Sequence, residues 1–201
     1  MRRLRPALAA LALLAALPAA AEAERSHPVL HVSAGTGACP RASSPTSRSA
    51  NPCWLLFGAS GGLRLGPVEV GAVYEGREPA DLLTLFLVRP SAVTVLGGTV
   101  AAVAEPGERW RLALGGEAGW RRYANFAGSG VRDWAGAADT AYAGVTGRAA
   151  FGVRSGARTD RLEVTLAWRK DVKTATDFVE NEAWRVGGWS ITMGVGLVAE
   201  W

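Results

Sequence analysis

Metal-binding and redox side chains are scarce in this chain. It has two histidines and two cysteines, too few ligands for a zinc site, and the cysteine spacing is wrong for one. No metal, and no cofactor of any kind, is expected. Beyond the first two dozen residues there is no apolar run long enough to cross a bilayer as a helix. Basic residues do not gather in a block, which gives no reason to expect nucleic-acid binding.

What is present begins at the N-terminus. Arg2, Arg3 and Arg5 precede an apolar run from Ala7 to Ala20 and a small-x-small site at Ala21-Glu22-Ala23, the layout of a secretory signal peptide over residues 1–23. Pro18 and the shortness of the run argue against a retained anchor. Cleavage after Ala23 leaves residues 24–201 as one domain and removes three arginines and one glutamate, lowering the formal charge from +4 to +2. No cysteine follows the apolar run directly, so lipidation is not expected. In an exported chain Cys39 and Cys53 are free to pair across a polar stretch rich in Ser, Pro and Arg. A disulfide closing one loop is the expected outcome, contributing roughly 3 kcal/mol in the chain-entropy model.

The remainder alternates in polarity with period two, in segments separated by turn residues. Eight such strands are expected: 28–37, 54–66, 68–75, 91–104, 109–123, 140–154, one around 161–169, and 189–201. In the last, Ile191, Met193, Val195, Leu197, Ala199 and Trp201 share one face. Pro67, the Glu105-Pro106-Gly107-Glu108 segment and Ser155-Gly156-Ala157 mark short reversals. Longer connections are expected over 39–53, 76–90, 124–139 and 170–188. Short turns thus alternate with long loops, and an even number of antiparallel strands can close on itself, leaving no edge.

Within the strands the charged residues share the face opposite the apolar one. Arg64, Glu69, Glu75, Arg111, Glu117, Arg121, Arg148, Arg161, Glu163 and Glu200 are all there, and Arg169 falls on it too. An eight-stranded barrel is only wide enough for side chains to fill, so these groups are expected to interleave as a lumenal ion-pair network that forms a plug. Leaving a member unpaired would be costly, and Arg111 and Glu117 are the expected sites of folding defects. On the apolar face, Tyr74, Trp120, Trp168 and Trp189 fall at loop-side strand ends and Trp110 and Trp201 at turn-side ends, as two interfacial girdles require. Trp54 is also at a loop-side end but on the inner face. Trp134 and Trp184 fall in expected loops, where exposed aromatics can anchor a partner.

A terminal alternating strand ending on an aromatic, together with the girdles, resembles the small eight-stranded outer-membrane β-barrels of the OmpA and OmpX type. The resemblance covers nearly all of the mature chain and implies an all-β, antiparallel, up-and-down transmembrane barrel in the cell outer membrane of a Gram-negative bacterium. It implies outer-membrane lipid and lipopolysaccharide as surroundings, the barrel assembly machinery as a partner during insertion, and a monomer. With no further domain expected after Trp201, the role expected is non-enzymatic, surface-exposed or envelope-structural, through the outer loops. Two alternatives stand beside it. His31 and Ser33 sit two apart on one strand, and closure would bring Glu200 near His31, a Ser-His-Glu set competent for hydrolysis and similar to the catalytic pair of outer-membrane lipid A deacylases. A soluble periplasmic barrel of lipocalin type would instead be apolar inside and polar outside.

Overall fold

The computed structural model describes residues 26–48, 53, 55–78, 93–126, 134–155, 158–179 and 181–201. The expected signal peptide and Trp54 lie outside them. Among the described residues ten strands run in chain order: β1 (His27–Ala38), β2 (Leu55–Leu65), β3 (Val68–Glu78), β4 (Val93–Ala104), β5 (Trp110–Phe126), β6 (Trp134–Ser155), β7 (Arg158–Asp171), β8 (Ala175–Val179), β9 (Glu182–Val186) and β10 (Trp189–Glu200). Eight of them form a closed antiparallel barrel, each paired with its neighbour in sequence, with β8 and β9 set aside as a separate two-stranded sheet. Closure is made by β1 against β10, continuous in register from Val29↔Glu200 to Ala38↔Ile191. No barrel strand therefore presents an open row of amides.

Every barrel strand alternates as period two demands. Leu114, Trp120, Leu162, Leu166 and Leu197 are exposed on the outer wall, while Arg77, Arg111, Arg121, Glu69 and Glu163 are buried in the lumen. This polarity is the reverse of that of a lipocalin-type barrel. The short turns sit at the end of the chain termini, where Gly66 (φ 58°) and Gly107 (φ 99°) supply the left-handed backbone. The six girdle candidates all face outward. Tyr74 and Trp120 are held at one level by the pairings Tyr74↔Leu96 and Leu96↔Trp120. At the turn-side end Trp110 packs on Phe151 with ring centroids 5.0 Å apart.

Three expectations about the loop side are corrected. β3 does not stop at Tyr74 or Glu75 but continues to Glu78, taking Arg77 into the lumen. β4 is described from Val93, and the expected start at residue 91 lies outside the described residues. The described parts of the stretch 124–139, residues 124–126 and 134–139, are strand, since β5 and β6 reach 17 and 22 residues, well beyond the 9–11 that span a bilayer. The stretch 170–188 contains the end of β7 and the β8–β9 hairpin. Trp134 accordingly opens β6, and Trp184 lies in β9, buried at 2 % exposure instead of projecting from a loop.

Candidate functional site: a charge-layered lumen under an outer cap

The lumenal charges stack in layers along the barrel axis. At the turn-side end Arg64 and Arg161 each bridge Glu105 and Glu200, at 2.9–3.3 Å. Burial alone would raise the Glu105 carboxyl, but the hydrogen bond and charge of Arg64, joined by Arg161, outweigh it and hold Glu105 below the usual carboxylate range.

Halfway up, Glu69 receives Arg111, and also Arg148 at 2.9 Å. His31 lies between carboxylates, with Nδ1 3.0 Å from Glu163 and Nε2 3.2 Å from Glu69. Arg148 Nη1 is 3.0 Å from the same Nε2. A proton on Nδ1 lets His31 donate to Glu163 and accept from Arg148, whereas a doubly protonated ring donates to both carboxylates and denies Arg148 its acceptor.

Towards the loops Arg169 bridges Glu117 and, at 2.9 Å, Glu75, which also holds Arg77. The far side of the Arg77 guanidinium meets the Cys39–Cys53 disulfide, Nη1 lying 2.7 Å from Cys39 Sγ and 3.1 Å from Cys53 Sγ. Above this, Arg121 binds Asp171 and the Ser190 hydroxyl, each at 2.9 Å, and Tyr123 donates its hydroxyl to Asp171. Arg121 also stacks 5.4 Å over Tyr142. Gly97 matters here, because a Cβ on it would collide with the Tyr142 hydroxyl and with the Ala118 carbonyl.

The first three layers each set two arginines against two carboxylates and the fourth one against one, so among the described residues the four layers are electroneutral apart from His31. Between the second and third layers lies a polar cavity of about 50 Å³, lined by hydroxyls of Ser33, Ser60, Thr146 and Thr165, with room for a few waters. Thr99 and Arg148 Nε face the same region and lack a hydrogen-bond partner among the described residues.

The outer mouth is closed from above. Trp184 and Val186 of β9, with Ala42 of the first loop, pack on the lumenal residues Val93, Val95, Tyr123, Ala138 and Tyr142. Ser43 exchanges backbone hydrogen bonds of 2.9 and 2.7 Å with Arg185, and Glu182 accepts from the hydroxyls of Ser44 and Thr46. The disulfide-bonded loop and the hairpin are thus one cap.

Every charged residue expected in the network faces the lumen, but partnerships differ from expectation in one respect. Glu200 does not meet His31: it sits at the turn-side end on Arg64 and Arg161, while His31 stands opposite Val198 and turns to Glu163 on β7. Ser33 lines the cavity two residues further along. Arg77, Asp171 and Glu105 complete the layers, although the sequence places them in connections. The only signal for the first two is that alternation, carried two residues past the expected strand ends, keeps them on the lumenal face.

No family model matches the chain, and no curated protein matches it by sequence. Solved structures do. Neisserial surface protein A superimposes with a TM-score of 0.54 at 14 % identity, covering 88 % of this chain and 98 % of that one. The outer-membrane protease OmpT from Escherichia coli gives 0.41 at 10 % identity, covering 90 % and 99 %, and the β-domain of the Bordetella autotransporter BrkA gives 0.37 at 14 %, covering 87 % and 70 %. The architecture is that of a small eight-stranded outer-membrane β-barrel.

Proposed function

We propose that this chain resides in the cell outer membrane as a closed, non-enzymatic, monomeric barrel, surrounded by membrane lipid and lipopolysaccharide, inserted by the barrel assembly machinery, and acting through its outer cap. The observation that carries the reading is the paired lumen: buried arginines matched by carboxylates occupy a bore with room for side chains and little more, and Trp184 packs on the mouth above them. An exposed outer band of Leu, Val and Trp suits hydrocarbon with aromatic margins. Both ring nitrogens of His31 are engaged by buried charges, which favours a structural role over that of a base for Ser33.

The test is outer-membrane fractionation with denaturing electrophoresis of boiled and unboiled protein. A mobility shift in the outer-membrane fraction is expected. Recovery as a detergent-free periplasmic monomer without a shift would overturn the reading. Release of fatty acid from lipid A by the purified barrel, abolished by His31→Ala, would overturn the non-enzymatic assignment.

A further inference from the structure

The cap has two faces, and the face turned away from the barrel has its own chemistry. β8 and β9 pair as Thr176↔Arg185 and Phe178↔Ala183, while Ala175↔Val186 and Asp177↔Trp184 form the opposite set. Trp184 and Val186 are buried on the barrel mouth, so the first set points outward. The first loop extends this ladder, because Ser43 bridges Arg185 on one side and Arg48 on the other. Directly opposed residues of antiparallel strands share a face. Arg48, Ser43, Arg185 and Thr176 therefore form one outward row, with the two arginines separated by two strand spacings, about 10 Å. Phe178 stands beside that row at 75 % exposure. The carboxylates of the cap point elsewhere, Asp177 pairing with the Trp184 position and Glu182 binding Ser44 and Thr46. Among the described residues no carboxylate shares the outward face.

Two guanidiniums, two hydroxyls and one exposed ring make a surface of hydrogen-bond donors with a single apolar platform. That composition does not suit a protein partner, whose interface needs a desolvated apolar centre of hundreds of square ångströms. It suits a polyanion with planar or tetrahedral acidic groups, which guanidinium forks bind bidentately, and with rings whose faces can rest on an aromatic side chain. We propose that the outward face of the cap is a binding site for an acidic polysaccharide, carboxylated or sulfated, with Arg48 and Arg185 holding its anionic groups and Phe178 stacking on a sugar ring. The site is small and each contact weak, so a repeating ligand engaging many copies on one surface gains by avidity. The proposal rests on the reading of the cap as the outward, functional end of a membrane-inserted barrel.

The experiment measures binding of heparin, with neutral dextran as control, to the full chain folded in neutral detergent. Each preparation is first shown to shift mobility on boiling. Wild-type protein is expected to bind heparin and not dextran, and to weaken as salt screens the charges. Arg48→Gln and Arg185→Gln should each weaken binding about tenfold, the double variant at least additively, with the mobility shift retained because both side chains are exposed. Phe178→Ala should weaken binding without changing its salt dependence. Binding by wild type that the double arginine variant leaves unchanged overturns the proposal, as does absence of binding by shifted protein. Displacement of heparin by vesicles containing phosphorylated lipid A, but not by uncharged vesicles, also overturns it by assigning the face to lipid phosphate. Wild-type protein lacking the shift overturns the membrane-barrel reading itself, with which this inference falls.

Discussion

Glu69 receives Arg111 and Arg148 and faces His31, all deep in the lumen. Glu69→Gln preserves its volume but takes the counter-charge from two buried guanidiniums, leaving Arg111 with Glu163 at 3.7 Å and Arg148 with the His31 ring, and breaking a buried pair costs roughly 3–5 kcal/mol. The folded fraction on unboiled gels, followed against urea, should fall accordingly, and a loss below about 1 kcal/mol would show that lumenal water compensates. Glu105 offers the contrast, because its partly exposed carboxylate lies in a turn. Its pKa is lower in the folded chain than in the unfolded one, so its contribution is present at neutral pH and disappears as the pH falls through the ordinary carboxylate value of about 4.3 towards the lower folded value. Glu105→Gln should cost at most about 1 kcal/mol at pH 7. That difference should narrow as both proteins are taken below the ordinary carboxylate value, and a difference that stays constant on acidification would contradict the ion-pair account. The face of each charge within the expected strands was readable from alternation alone. The partner each one takes was not: Glu163 on β7 reaches His31 on β1 over the intervening β10, and a face pattern carries no information about that distance or about strand stagger.

The barrel strands were legible because a wall with water-excluding surroundings on one side and a charged interior on the other imposes unbroken alternation. The β8–β9 hairpin has no such contrast. Its inward face carries Asp177 beside Trp184 and its outward face carries Phe178 beside Thr176, so polarity does not follow the pleat and the segment reads as a polar loop. What makes the hairpin fold back is the pair Gly187 and Gly188, at φ 123° and 142°, with the Gly188 amide donating to Asp171 at 2.9 Å. A Cβ on Gly187 would crowd Asp171 Oδ2 at 3.2 Å and the Lys173 carbonyl at 3.3 Å. Gly187→Ala should therefore strain this elbow by about 1–3 kcal/mol. The expected readout is faster protease cleavage within 172–188 while the boiled and unboiled bands stay as distinct as in wild type. Unchanged cleavage would mean that Trp184 packing alone fixes the cap.

For the molecule as a whole, two seals lie in series: the stopper of Trp184, Val186 and Ala42 at the mouth, and the matched arginine and carboxylate layers beneath it. An eight-stranded wall leaves space for side chains and little more, and each lumenal arginine is held by at least one carboxylate, so the lower seal does not depend on the upper. Replacing 173–187 by a short turn should then leave the mobility shift intact and planar bilayers as resistive as with wild-type protein. Removing the hairpin together with the Arg169 and Glu117 pair, as Arg169→Ala and Glu117→Ala, eliminates one cation and one anion at the level of the cavity. It thereby enlarges the 50 Å³ cavity as far as the Arg121 and Asp171 layer without unbalancing the charge. Small conductance steps are expected at most in that combination, because the layer of Arg111, Arg148, Glu69 and Glu163 still crosses the bore. Stable channels after hairpin removal alone would move the seal to the cap and leave the charged interior as scaffolding for the wall.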